Sequence, residues 1–376
     1  MDIAIAKLEQ WMRDYYHNVD HDIGSSGVRD LTIAELRGLC GFELSELDAM
    51  TCRDSESYGG SGLRAALADR WTGGDVDRVM VTHGSSEAIY LVMSLALQPG
   101  DELIVVDPAY QQLHGIAAAR GCRLTRWPLD PAAGFAADLA RLRELARSRP
   151  RMIVVNFPHN PTGRSITAGE QKELLAIAEE AGALLVWDHA FGELTYTADP
   201  LPLPTSSYDR CVAFGTLSKS YGLPGLRVGW CVAPPDLLAR MALLRDYIAL
   251  YVSPVLEFFA EQAVRNADKI VAVQREHASA NLRLLSDWAG GLPELVRFSP
   301  PDGGVTAFVE FPGQPDVVAS CRRLAEQHRV LLVPGACFGD AYGNHARLGF
   351  GGTTAGLTAG LSLLERVLRE DAKGDR

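Results

Sequence analysis

The feature that most restricts how this chain folds is a regular alternation that begins near residue 60. Short runs of Val, Leu and Ile trade places with segments of helical periodicity. SGLRAALADRW (61–71) reads as helix, VMVTHG (79–84) as strand and SSEAIYLVMSLAL (85–97) as helix. The pattern continues with ELIVVDPAY (102–110) as strand and loop, a helix near 111–120, and MIVVNFPHNPTG (152–163) as strand and loop. AGEQKELLAIAEEAG (168–182) then reads as helix and ALLVWDHAF (183–191) as strand and loop. Unbroken apolar strands are buried on both faces, and the helices between them supply the crossovers that parallel strands need. The expected class is therefore α/β, a mostly parallel sheet covered by helices on both faces.

Both ends of the chain depart from this pattern. Ile5, Leu8, Trp11, Met12, Tyr15 and Tyr16 recur at helical spacing, and DIGSSGVRD (22–30) follows as a Ser- and Gly-rich loop. Apolar periodicity from Pro235 to Asn266 predicts one or two long helices. Beyond about residue 285, GGVTAFVEF (303–311), RVLLVPG (329–335) and ARLGFGG (346–352) read as strands among helices, ending in the helical LTAGLSLLERVLRE. We expect a large unit over 46–280 and a smaller α+β unit made of 1–45 with 281–376.

Charge and cysteine usage narrow the function classes. A net charge of -11 repels phosphate backbones, so nucleic acid is not an expected partner. The seven cysteines form no CxxC pair and no metal-type cluster; they fit reduced thiols in a cytoplasmic protein, and no metal is expected. MDIAIAKLEQWMRDYY has no basic segment followed by an apolar core, so no secretory signal is read there. No apolar run reaches the roughly eighteen residues of a membrane span.

Polar clusters sit where the predicted strands end: HGSSEA, DPAY, NFPHNPTG, WDHAF and TLSKSYGLPGLRVG. Parallel α/β sheets bind ligands at those carboxyl ends. Singly, each cluster has a structural reading: Asn-Pro-Thr-Gly makes a good turn, a lysine after a strand is commonly a solvated terminus, and Asp188 could cap a helix. Taken together and in this order, they resemble the fold-type I pyridoxal-phosphate enzymes, the class I/II aminotransferase family with the aspartate-aminotransferase fold. The resemblance runs over essentially the whole chain. Its most specific part is TLSKSYGLPGLRVG (216–229), with Lys219 at the Schiff-base position and Thr216 where the family has Gly or Ser.

The resemblance implies pyridoxal 5'-phosphate as cofactor and assigns roles by motif position. Lys219 carries the cofactor and moves protons. Asp188 holds the pyridine nitrogen protonated, Asn160 donates to the phenolic oxygen, and Tyr110 stacks on the ring. Ser85, Ser86, Thr216, Ser218 and Arg227 bind the phosphate. Tyr58 reaches the phosphate of a partner subunit, which implies a homodimer with shared active sites. Arg347 clamps the substrate carboxylate; its alternative is a surface arginine on a late strand. Phe191 stands where the family often has a tyrosine that also bonds the phenolic oxygen, so that oxygen has one donor fewer and the Schiff base a higher pKa.

The motifs leave the fate of the substrate open, because one fold hosts several reactions. LEQWMRDYY followed by DIGSSGVRDLTIAEL looks like the capreomycidine synthases, a branch acting on 3-hydroxylated arginine in antibiotic pathways. That likeness implies loss of water and cyclisation to a guanidino amino acid. The alternative is an aminotransferase using 2-oxoglutarate. The loop Ser25, Ser26, Gly27 and Val28 is expected either to close over the site or to be an ordinary polar connection. Glu9, Asp20, Asp22 and Asp30 are candidate guanidinium partners, among which the sequence does not choose. His159 and His189 flank expected cofactor residues and are candidates for a proton shuttle or for hydrogen-bonding spacers.

Overall fold

The computed structural model describes residues 3–314 and 316–374. Among them are twelve strands: β1 (His21–Asp22), β2 (Val79–Thr82), β3 (Glu102–Asp107), β4 (Arg123–Pro128), β5 (Met152–Asn156), β6 (Leu184–Asp188), β7 (Cys211–Thr216), β8 (Gly229–Val232), β9 (Thr306–Glu310), β10 (Val330–Leu331), β11 (Val333–Pro334) and β12 (His345–Gly349). Seven form one sheet in the order β2-β8-β7-β6-β5-β3-β4, in which β8 runs against both of its neighbours and the other pairs are parallel.

The apolar runs feed two cores because side chains alternate along a strand. Val79, Val81, Ile153, Val155, Leu185 and Trp187 join one buried cluster, while Met80, Met152, Val154 and Val186 join the cluster on the opposite face. Helices cover both. One of them, Ala168–Ala181, is set by local signals: Thr167 and Glu170 form a capping box, and Gly182 ends it at φ 68°. Edge strand β4, with its polar Arg123, Thr125 and Arg126, lacked the apolar signature and was not anticipated.

The Pro235–Asn266 stretch holds two helices, Pro235–Arg245 and Pro254–Arg265, each opening on a proline suited to a first helical position. A third helix, Ala267–Gly290, follows, so the expected boundary at residue 280 falls inside an unbroken helix. RVLLVPG divides into two strands. β10 pairs parallel with β1, and β11 pairs antiparallel with β12, which also pairs with β9. The β1–β10 pairing ties the N-terminal segment to the C-terminal region, and Trp11 Nε1 donates to the Leu332 carbonyl at 3.0 Å. Among the described residues no helix is long and apolar enough to cross a membrane.

Candidate active site

The carboxyl ends of β3, β5, β6 and β7 open into a cavity of about 840 Å³. Its walls also take residues from the N-terminal segment and from the end of β12. Of the predicted site residues, Ser25, Ser26, Gly27, Ser85, Ser86, Tyr110, Asn160, Asp188, Thr216, Ser218, Lys219, Arg227 and Arg347 all line it. Tyr58 does not line the cavity of its own chain; its ring lies 5.4 Å from the Arg64 guanidinium carbon.

One end of the cavity is built for an anion. Ser85 and Ser86 sit in the first turn of the helix Gly84–Ala96, where amide groups have no helical partner and the dipole is positive. Arg227 Nη1 donates to Ser218 Oγ at 3.2 Å, and that hydroxyl lies 3.0 Å from Thr216 Oγ1. The approach is close enough to demand glycine. A Cβ on Gly84 would stand 2.8 Å from Arg227 Nη2, and one on Gly229 would stand 2.7 Å from the Ser85 amide nitrogen. A cation, two hydroxyls and free amides thus converge on one spot.

Deeper in, Asp188 ends β6, and its Oδ1 accepts the Ala190 N–H at 2.9 Å. Burial pushes its carboxyl up to about 6. Asn156, which the sequence reading did not single out, ties this floor together. Its Nδ2 donates to the Asp188 carbonyl at 3.0 Å, and its Oδ1 accepts the Asn160 N–H at 2.8 Å. Lys219 Nζ donates to Ser26 Oγ at 2.9 Å and lies 5.9 Å from the centre of the Phe191 ring. Burial, then the neighbouring Arg347 cation, brings the Lys219 amine down to about 8. A phosphate cradle, a buried carboxylate and a buried amine in one cavity fit a phosphorylated pyridine aldehyde.

Arg347 is 2% exposed, which rules out the surface reading. Its Nε and Nη2 donate to the Gly24 carbonyl at 3.1 and 2.8 Å, and its Nη1 donates to Asn160 Oδ1 at 3.2 Å. A guanidinium has five N–H donors, so one on each terminal nitrogen stays free, the fork that grips a carboxylate. Burial lowers Arg347 to about 10, still charged at neutral pH. Tyr110 is held by a contact absent from the sequence reading: its hydroxyl donates to Glu9 Oε1 at 2.6 Å.

The histidines are corrected. Neither His159 nor His189 lines the cavity, so neither is placed to shuttle protons there. His159 Nδ1 lies 2.8 Å from Thr162 Oγ1, and the His189 ring packs edge-on against Trp71 at 5.0 Å. Burial holds both neutral, at about 3 and about 4.

Comparison with known proteins agrees with this geometry. The family model "Aminotransferase class I and II" matches residues 45–364. Capreomycidine synthase of Streptomyces vinaceus is 44% identical over 376 residues, 100% of this chain and 96% of that protein. The arginine–pyruvate transaminase AruH of Pseudomonas aeruginosa is 30% identical over 73% of this chain and 70% of its own length. The crystal structure of the PLP-dependent cyclase OrfR superposes with a TM-score of 0.92 at 41% identity, covering 98% of each chain. The chain is a pyridoxal-phosphate enzyme of the aminotransferase class I and II family.

Proposed function

We propose that this enzyme removes water from a 3-hydroxylated L-arginine and closes the guanidine onto C3, giving a capreomycidine-type cyclic amino acid for antibiotic biosynthesis. The observation that carries the reading is the span of the likeness to capreomycidine synthase. It includes residues 1–44, which lie outside the family model and yet supply Glu9, Ser25 and Ser26 to the cavity.

Bound in the cavity, pyridoxal phosphate supplies an electron sink that acidifies Cα of a linked amino acid. In this reading Ser85, Ser86, Thr216, Ser218 and Arg227 would hold its phosphate, Asp188 would keep the ring nitrogen protonated and Tyr110 would stack on the ring. Asn160, its oxygen turned to Arg347, would keep its amide N–H groups for the phenolic oxygen. Arg347 orients the substrate carboxylate. Lys219, once free, takes the Cα proton and passes it to the C3 hydroxyl, which leaves as water as the C3–O bond breaks; the proton it later returns to Cα is the one the guanidine nitrogen loses. A guanidine nitrogen then bonds to C3, losing one proton, and Lys219 returns a proton to Cα. Holding the guanidine next to C3 makes the attack intramolecular.

The loop Ser25, Ser26, Gly27 and Val28 keeps the reacting atoms from water. It is seated tightly: a Cβ on Gly349 would meet the Ser25 carbonyl oxygen at 1.8 Å, and one on Gly351 would meet the Gly27 carbonyl oxygen at 2.2 Å. Replacing Ser25 and Ser26 by alanine is expected to leave cofactor absorbance unchanged and to lower turnover about tenfold, since the hydrogen bond between Lys219 and Ser26 is lost. Turnover equal to that of the parent enzyme argues against this role.

A cytoplasmic homodimer, with Tyr58 reaching the partner's phosphate site, completes the proposal. The free thiols among the described residues suit a reducing compartment. The test is incubation of the holoenzyme with 3-hydroxyarginine alone. Loss of one water from the substrate mass, with no keto acid added, supports cyclisation. An unchanged mass, together with glutamate formed from 2-oxoglutarate or alanine formed from pyruvate in the presence of an amino acid, establishes an aminotransferase instead, the reaction type named for the arginine–pyruvate transaminase relative.

A further inference from the structure

Five carboxylates line the cavity: Glu9, Asp20, Asp22, Asp30 and Asp188. Most are already engaged. Asp188 is at the buried floor and accepts the Ala190 amide. Glu9 accepts the Tyr110 hydroxyl. Asp20 pairs with Arg329 at 2.8 Å, and both side chains are more than half exposed. Asp22 uses Oδ1 to accept the amides of Gly24 and Ser25 at 2.9 and 2.8 Å, which pins the loop and leaves Oδ2 available.

Asp30 differs from all of these. Asp30 is exposed at the mouth of the cavity, and among the described residues no hydrogen bond or ion pair reaches its carboxylate. Partial desolvation at the cavity mouth, then the Asp22 charge, raises its pKa, and the Lys219 amine only partly offsets them. Its sequence neighbour Arg29 is taken by Glu35 at 2.8 Å. Tyr16 also lines this wall. The cavity also holds Arg347, 2% exposed and, among the described residues, with two N–H groups to spare; Asp22 and Glu9 lie near enough for their charges to act on its guanidinium. The cavity thus combines a buried guanidinium with an exposed, unpaired carboxylate at its mouth. A cation carried at the far end of the substrate side chain is the complement.

The geometry points to Asp30, backed by Asp22, as the residue that receives the substrate's guanidinium and so selects arginine-type side chains. The assignment rests on the arginine-type substrate proposed above. A planar guanidinium offers a carboxylate two parallel N–H groups, a charge-assisted pairing that a neutral side chain of the same shape cannot make. Asp30 acts as a specificity residue and takes no part in proton transfer.

The test compares arginine with citrulline, whose ureido group is a neutral near-isostere, by titrating each into the holoenzyme and following cofactor absorbance. The parent enzyme is expected to bind arginine about 10- to 100-fold more tightly. In Asp30→Asn that ratio falls toward one, through weaker arginine binding with citrulline affinity unchanged. Asp30→Glu, which keeps the charge, restores most of the preference. An undiminished ratio in Asp30→Asn, with normal cofactor absorbance, overturns the assignment while leaving the arginine-type substrate intact. A parent enzyme with no preference for arginine overturns the substrate reading itself, and the assignment with it.

Discussion

Lys219→Ala is expected to lower kcat by at least about 10⁴-fold, some 5 kcal/mol of barrier, with the residual rate near background. No other lysine lines the cavity, so no second amine can take over proton transfer at Cα. The phosphate cradle is untouched by the change, and the variant will still bind the cofactor reversibly. Turnover within a hundredfold of the parent would exclude Lys219 as the base. The same residue predicts a pH dependence. Only the neutral amine reacts with an aldehyde, and burial together with Arg347 brings the Lys219 amine from 10.5 to about 8. Cofactor uptake by the apoenzyme therefore accelerates with rising pH around a midpoint near 8. A midpoint above 10 would mean that the amine is not desolvated. The stability linkage has a definite sign. A folded-state pKa below the unfolded value contributes stability that is present above pH 10.5 and is lost as pH falls through about 8. The Lys219→Met apoenzyme, which has no charge to bury, is accordingly more heat-resistant than the parent at pH 7, as a thermal melt would show.

Asp188→Asn is the second large effect, a fall in kcat of about 10³-fold with the cofactor still bound and visible by absorbance. Asparagine keeps the shape but cannot stabilise a protonated ring nitrogen. Asp188 is held up to about 6 by burial, which the Ala190 amide and the Lys219 charge only partly offset. A pyridinium facing it would reverse that shift, since an opposite charge stabilises the carboxylate. In the apoenzyme the raised pKa contributes stability below about pH 4 that is lost as pH rises through about 6. Cofactor binding is expected to remove this penalty, so the gain in melting temperature on adding the cofactor grows between pH 5 and 7, and in Asp188→Asn the gain remains but no longer grows with pH. A variant within tenfold of parental turnover would show that the carboxylate is not needed.

Much of this was legible without coordinates, for a local reason. Continuous apolar runs such as MIVVN and LLVWD can be satisfied only between two helical layers, and the residues that follow such a run emerge at the strand's carboxyl end. Asp188, Asn160 and Lys219 were therefore readable from their place after a strand, and Ser85 and Ser86 from their place at a helix start. Sequence adjacency misled at His189, because successive side chains on a strand point to opposite faces: next to a cavity-lining aspartate, the histidine faces Trp71. What the sequence by itself determined was the sheet, its helical cover and the order of the cofactor loops. Tertiary structure alone decided how the N-terminal segment meets them. Ser26 bonds Lys219 across 193 positions, Glu9 bonds Tyr110 across 101, and the Gly24 carbonyl seats Arg347 across 323. These contacts follow from the two-residue pairing of β1 with β10, too short to leave any periodic trace. The same pairing sends Asp20 outward to Arg329 and leaves Asp30 unpaired at the mouth of the cavity, a distinction among like carboxylates that no local pattern could carry.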